Sequence, residues 1–174
     1  MDYRTKPTSR VFLRLLAPWL RSLFGVYDMA QPFPVLQALE MLPDVFDETT
    51  VEIVEDDEMP YCEKANCVVE DEGFTIKIKQ SVYDSAYKDG NGAALGFICH
   101  EICHVFLYKV GFQPIMSCSF ANNAIPAYCS VEWQTKALCG EVMMPYEATK
   151  NLSEEQIVQQ FKVSKAFAKK RKTY

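Results

Sequence analysis

The sequence predicts one α+β domain in which a small antiparallel sheet packs on a long apolar helix, with further helices after it. Two observations support this prediction. Apolar and polar residues alternate over residues 74–79, which is the period of a half-buried strand. Residues 93–110 form a nearly continuous apolar run, long enough for a buried helix, and amphipathic segments follow it. A chain of 174 residues has the length of a single domain.

Turn-forming and helix-ending residues divide the chain into elements. Residues 51–54 and a hairpin of 67–69 with 74–79 are the predicted strands. The run Asp89-Gly90-Asn91-Gly92 is the strongest turn signal and precedes the apolar helix. Further helices are predicted over 35–42, ending before Pro43, over 131–144, ending at Pro145, and from Ser153, with a break near 163–164 and a basic helix after it.

The N-terminal residues 1–30 are predicted to be a basic amphipathic helical segment, attached to a domain of residues 31–174. Arg10, Arg14 and Arg21 fall within about 40° of one another on a helical wheel and form a narrow basic stripe. The segment is too short and too charged to span a bilayer, and no cleavage site of a signal peptide follows it. We expect it to pack on the body of the protein; attachment to a membrane surface through residues 10–26 is the alternative.

Charge and cysteine content exclude two classes of protein. The net charge of −5 argues against a protein that coats nucleic acid, so no direct nucleic-acid contact is expected. That charge combines +4 over residues 1–25, +6 over residues 162–174 and −15 in between. Seven cysteines without a CxxC pair do not resemble the disulfide framework of a secreted protein, which predicts a cytoplasmic location.

One short motif carries chemistry: His100-Glu101-Ile102-Cys103-His104, within the apolar helix. Residues four apart share a helix face, so both imidazoles can bind one zinc ion. Glu101 lies beside them, where it can act as the general base for attack of water on an amide. The motif therefore predicts a zinc-dependent peptide-bond hydrolase with Glu101 as its catalytic residue.

The third zinc ligand must come from elsewhere. The chain has no other histidine, so a carboxylate is expected from the glutamates downstream, which are Glu132, Glu141, Glu147, Glu154 and Glu155. Glu132 and Glu141 share the next predicted helix, and periodicity does not choose between them. Cys99 and Cys103 are rotated by about 100° from the histidine face and are predicted to be core residues.

With both histidines assigned to the metal, another group must stabilise the oxyanion. Tyr128 and Tyr146, on either side of the Glu132 helix, are the side-chain candidates for this role.

The sequence resembles the ImmA/IrrE family of zinc metallopeptidases over about residues 33–172. The approach to the motif is similar, and so is a second signature that begins at Glu132-Trp133-Gln134-Thr135 and ends at Met143-Met144-Pro145. The resemblance implies a zincin-like, gluzincin-like fold in which the glutamate that opens the second signature, Glu132, is the third ligand. Cys103, Thr135 and Leu138 depart from the family pattern.

The resemblance also implies a function. Members of that family cleave helix-turn-helix transcriptional repressors of phages, mobile elements or stress regulons, so a DNA-binding repressor is the expected protein substrate. If the acidic region 52–72 borders the substrate groove, it favours such a basic partner. The alternative is a non-proteolytic regulatory or toxin–antitoxin-type binding protein that retains the zinc site; the residues leave the oligomeric state open.

Overall fold

The computed structural model describes residues 2–70, 73–115 and 124–174, and within them it is an α+β fold. Eight α-helices, one short 3-10 helix and a three-stranded sheet make up these residues. In chain order they are α1 (Arg10–Leu23), α2 (Val35–Val45), β1 (Thr49–Val54), β2 (Ala65–Glu70), β3 (Gly73–Lys79), α3 (Gln80–Asp89), α4 (Gly92–Lys109), the 3-10 helix (Ala127–Cys129), α5 (Val131–Met143), α6 (Tyr146–Thr149), α7 (Glu154–Phe161) and α8 (Lys165–Arg171).

The sheet is mixed, so the prediction of a purely antiparallel sheet is wrong. β2 and β3 form the expected antiparallel hairpin, but β3 is the central strand and pairs in parallel with β1. The chain leaves β1, crosses to the far edge through residues 55–64, and returns along β3, which therefore runs in the same direction as β1. Ile76 and Ile78 of the central strand are fully buried.

Helix α4 lies at the centre of the molecule and corresponds to the predicted apolar helix. Its buried side chains include Ile98, Ile102 and Phe106, and it contacts the sheet, α2, α3 and α5. The side chain of Asn91 caps the helix by accepting hydrogen bonds from the first backbone N–H groups. A side chain at Gly92 would collide with the backbone of residues 162–164, so glycine allows the α7–α8 connection to cross the start of α4.

Helix α1 packs along α5, and its arginines face the protein rather than solvent. Leu13, Ala17 and Leu20 belong to the core, and α1 continues through Pro18 without a break. Arg21 is fully buried and donates hydrogen bonds to the carbonyls of Val142, Asp28 and Gln31. The expected basic stripe is therefore an internal feature.

A buried carboxylate on α5 forms ion pairs with Arg10, Arg14 and Arg171. Glu141 of α5 is 1 % exposed and accepts hydrogen bonds from Arg14 of α1 and, through both of its oxygens, from Arg171 of α8. Arg10 lies 3.8 Å from the same carboxylate. Three helices are thereby tied to one another through a single residue of α5.

The outward face of α1 is apolar and carries exposed Val11, Leu15 and Trp19. Within the described ranges, however, no helix combines the length and apolarity that a membrane crossing requires.

Candidate metal centre

Three side chains from two helices converge in the structure: His100 and His104 of α4 and Glu132 of α5. The two Nε2 atoms are 3.0 Å apart. The Glu132 carboxylate oxygens lie 3.4 Å from the Nε2 of His100 and 3.2 Å from that of His104. The two imidazoles hold the pKa of Glu132 well below its ordinary value, so the carboxylate is ionised. Two nitrogens and one anionic oxygen therefore face one point.

This arrangement has the size of a metal site. In a tetrahedral complex with bonds of 2.0–2.2 Å, neighbouring ligand atoms are about 3.3 Å apart. The three distances in the structure lie close to that value, and these atoms form one of two clusters of potential metal ligands among the described residues. The site can hold a metal ion with three protein ligands and an open fourth position.

Thr135 orients His104. Its Oγ1 lies 3.2 Å from the Nδ1 of His104 and donates a hydrogen bond to the carbonyl of Val131, one turn earlier in α5. Because the hydroxyl proton is used in that second bond, the hydroxyl oxygen accepts from Nδ1–H. The proton on Nδ1 leaves the lone pair of Nε2 free for a metal ion.

The N-terminal residues fix the first turn of α5, where Glu132 lies. Ser130 caps the helix by accepting a hydrogen bond from the N–H of Trp133. Asp2 accepts from the hydroxyl of Ser130 at 2.6 Å and from the N–H of Glu132 at 3.1 Å. A residue 130 positions earlier in the sequence therefore helps to place a ligand of the metal centre.

Glu101 lies beside the three ligands and is 6 % exposed. Burial raises the pKa of its carboxyl group, while the two histidines act in the opposite direction. Glu101 and Cys67 of β2 line the same cavity, next to the candidate metal centre. A buried carboxylate whose pKa is raised is suited to accept a proton from water.

The cluster opens into a cavity of about 950 Å³. Its walls come from residues 62–67 at the edge of the sheet, from α4 and α5, and from α8. His100, Glu101, His104 and Glu132 all line it. The site therefore combines candidate metal ligands, a buried carboxylate and space for an extended ligand.

Periodicity alone left two glutamates of α5 as candidates for the third ligand, and the structure places them in different surroundings. Glu132 reaches the histidines and also pairs with Lys136 at 3.2 Å. Glu141 lies two and a half turns further along α5, held by Arg14 and Arg171. Its ion pairs give it a structural role.

The two tyrosines predicted to stabilise the oxyanion lie just before and just after α5. Tyr128 is 55 % exposed in the 3-10 helix, and Tyr146 packs beneath the guanidinium of Arg14. Neither is among the described residues that line the cavity, whereas Tyr3 and Tyr108 are. The prediction for Tyr128 and Tyr146 was based only on their positions in the sequence, on either side of the Glu132 helix.

The contributions of Thr135 and Asp2 were not foreseen from the sequence. Thr135 is three residues after Glu132 and shares its helix face, so its spacing carried a usable signal. Asp2 carried none, because its contact spans 128 residues and more.

Cys99, Cys103 and Cys139 form the second cluster of potential metal ligands. All three side chains are buried, as predicted for Cys99 and Cys103, and their sulfur atoms lie within 4.8 Å of one another. Burial and neighbouring thiols raise the pKa values of Cys99 and Cys103, so both are neutral thiols.

Comparison with known proteins gives no relative. No family model, no curated protein and no solved structure matches the chain. The functional argument therefore depends on the geometry of the site.

Proposed function

We propose that the protein is a zinc-dependent endopeptidase with His100, His104 and Glu132 as metal ligands. The observation that carries the proposal is the convergence of these three donors beside a buried glutamate, Glu101, in an open cavity. A site that served structure alone would have no use for an open position facing a cavity.

Zinc is the ion that best suits this set of donors. Two imidazoles and one carboxylate with a free position form the ligand set of zinc peptidases. When bound, zinc would polarise a substrate carbonyl and lower the pKa of a coordinated water.

Glu101 would perform the proton transfers. Its carboxylate accepts the proton of the attacking water and delivers it to the amine that leaves when the peptide bond breaks. Burial on α4 holds the carboxylate at the cavity wall, so it is already positioned before a substrate arrives.

The edge of the sheet offers a binding surface for an extended peptide. Among the described residues β2 pairs only with β3, and residues 65–67 and Val69 of β2 line the cavity. A substrate strand could hydrogen-bond to the other edge of β2, which would bring its backbone carbonyls past Glu101. This supports a polypeptide substrate in an extended conformation.

The substrate that we propose is a helix-turn-helix repressor, as the sequence resemblance implies. The charge of the cavity does not by itself favour a basic substrate, because side chains of both signs line it. The cationic ones include Arg10, Lys136 and Lys170, and the anionic ones include Glu63 and Glu132. A DNA-binding repressor encoded beside this gene is the first protein to test.

The test compares the parent protein with Glu101→Gln, both supplied with zinc. Metal analysis is expected to give about one zinc per chain in each, because the substitution leaves all three ligands in place. Cleavage of the repressor, and of a mixed peptide library read by mass spectrometry, is expected to fall by about 10²–10⁴-fold in Glu101→Gln.

Glu147→Gln is the matched control, since it removes the charge of an exposed glutamate on α6 that pairs with Lys150. It is expected to cleave like the parent. Equal cleavage by Glu101→Gln would contradict the mechanism. Zinc binding without cleavage of any library peptide by the parent would favour the non-proteolytic alternative, a regulatory binding protein.

A further inference from the structure

The interface between α4 and α5 contains a second three-donor cluster, which is buried in the core and of which Cys139 borders the cavity. Cys99 and Cys103 are one turn apart on α4, and Cys139 faces them from α5. Their three sulfur atoms lie within 4.8 Å of one another. In a trigonal complex with metal–sulfur bonds of about 2.3 Å, the sulfur atoms would be about 4 Å apart. A contraction of less than about 1 Å would thus complete a coordination triangle.

A buried positive charge lies near this cluster. Arg21 is fully buried and uses carbonyl groups as its hydrogen-bond partners, with no salt bridge to a carboxylate in the described part of the chain. Its Nε has no hydrogen-bond partner among those residues. One of those carbonyls belongs to Val142, one turn after Cys139.

We propose that Cys99, Cys103 and Cys139 form a binding site for a soft divalent metal ion, separate from the histidine centre. Binding one M²⁺ ion would form three metal–sulfur bonds and release three protons, one from each thiol. The resulting complex carries a charge of −1, and the +1 charge of Arg21 balances it. A buried anionic complex needs such a partner, because an unpaired charge in an apolar core is strongly unfavourable.

The chemistry of the donors selects the ion. Three thiolates without a nitrogen or oxygen ligand favour soft ions over magnesium or calcium. The three side chains are at most 3 % exposed, with Cys139 at the border of the cavity, so the sulfur atoms would be the principal ligands, which favours an ion that accepts three of them. Cadmium is a suitable probe because its bonds to thiolates absorb in the ultraviolet, whereas its bonds to imidazole and carboxylate do not.

The experiment titrates cadmium into the full chain, already supplied with zinc, under anaerobic reducing conditions. The thiolate-to-cadmium absorption band is expected to grow to saturation at one equivalent, with three protons released per ion. The Cys139→Ala variant is expected to lose this band. The matched control, Cys67→Ala, removes a thiol that lines the cavity near Glu101 and is expected to keep it.

Absence of the band in the parent, its persistence in Cys139→Ala, or its loss in Cys67→Ala would each overturn the proposal. Circular dichroism establishes whether Cys139→Ala folds. If it does not, X-ray absorption of the cadmium-loaded parent decides: three sulfur neighbours support the site, and nitrogen or oxygen neighbours overturn it. None of these measurements depends on peptidase activity, so the outcome is independent of the proposed function.

Discussion

Helices α4 and α5 carry two triads of potential ligands built to the same plan. Each triad takes two residues four apart on α4 and one residue on α5: His100, His104 and Glu132 in one, and the cysteines of the cluster in the other. The members on α4 differ by a single position in the sequence. That one-residue step rotates a side chain by about 100°, from the cavity wall into the core.

The surroundings give the two triads different chemistry. The histidine triad lines the cavity, and its half-exposed carboxylate is ionised. The cysteine triad is buried, with Cys139 at the border of the cavity, and the contact with the Cys103 thiol together with burial raises the pKa of Cys99. Spacing along a helix therefore decides which side chains meet, whereas exposure and neighbouring charge decide what the assembled group can bind.

The largest expected effects on stability and on zinc binding come from substituting each of the two glutamates of α5 by alanine. Glu141→Ala would leave the buried Arg171 and the partly exposed Arg14 without their partner, and the loss of the buried pair costs about 3–5 kcal/mol in the free energy of unfolding. Glu132→Ala would leave the core intact but abolish tight zinc binding. Denaturant unfolding and metal analysis on both variants separate the two effects; zinc lost from folded Glu141→Ala instead would contradict the assignment.

A smaller effect tests which triad holds zinc. A ligand at 100 times its dissociation constant stabilises the folded state by about 2.7 kcal/mol, so zinc is expected to raise the melting temperature by a corresponding amount. The increase should disappear when a chelator is added and should be absent in Glu132→Ala. If zinc still raises the melting temperature of Glu132→Ala, the zinc is bound by the cysteine triad, and the proposed difference between the two sites is wrong.

The smallest effect concerns the orientation of His104. Thr135→Val keeps the shape of the side chain but removes the hydroxyl that accepts from Nδ1, so zinc affinity is expected to fall by about 10–100-fold. Thr135→Ser retains the hydroxyl and is the matched control. Competition with a zinc-binding dye measures both, and equal affinities would show that the hydroxyl does not position the imidazole.

Local signals in the sequence were sufficient for much of the fold. The turn signal at residues 89–92, the helix start at Ser153 and the alternation in β3 correspond to observed elements, and α4 begins and ends within one residue of its predicted range. The parallel pairing of β1 with β3 could not be read from the sequence, because strand order depends on which edge a connecting loop reaches. Helix α2 also continues through Pro43 and ends at Val45, three residues beyond its predicted end.

Parts of the candidate site could not be predicted from local sequence patterns either, because they depend on contacts between distant residues. The spacing of His100 and His104 predicts a shared face, but the contact with Glu132 joins two helices separated by a connection that includes residues outside the described ranges. The helical wheel of α1 predicts that its arginines share one face, but it does not show whether that face points to solvent or to the protein. Only the tertiary structure shows that Glu141 turns these cations inward.

The cap that Asp2 places on α5 has a consequence for the biosynthesis of the protein. Asp2 is synthesised 130 residues before Glu132, the residue whose backbone N–H it caps. The histidines of α4 are likewise synthesised before Glu132. A metal ion that binds all three donors could therefore do so only after α5 has been made and has met both the N-terminal segment and α4.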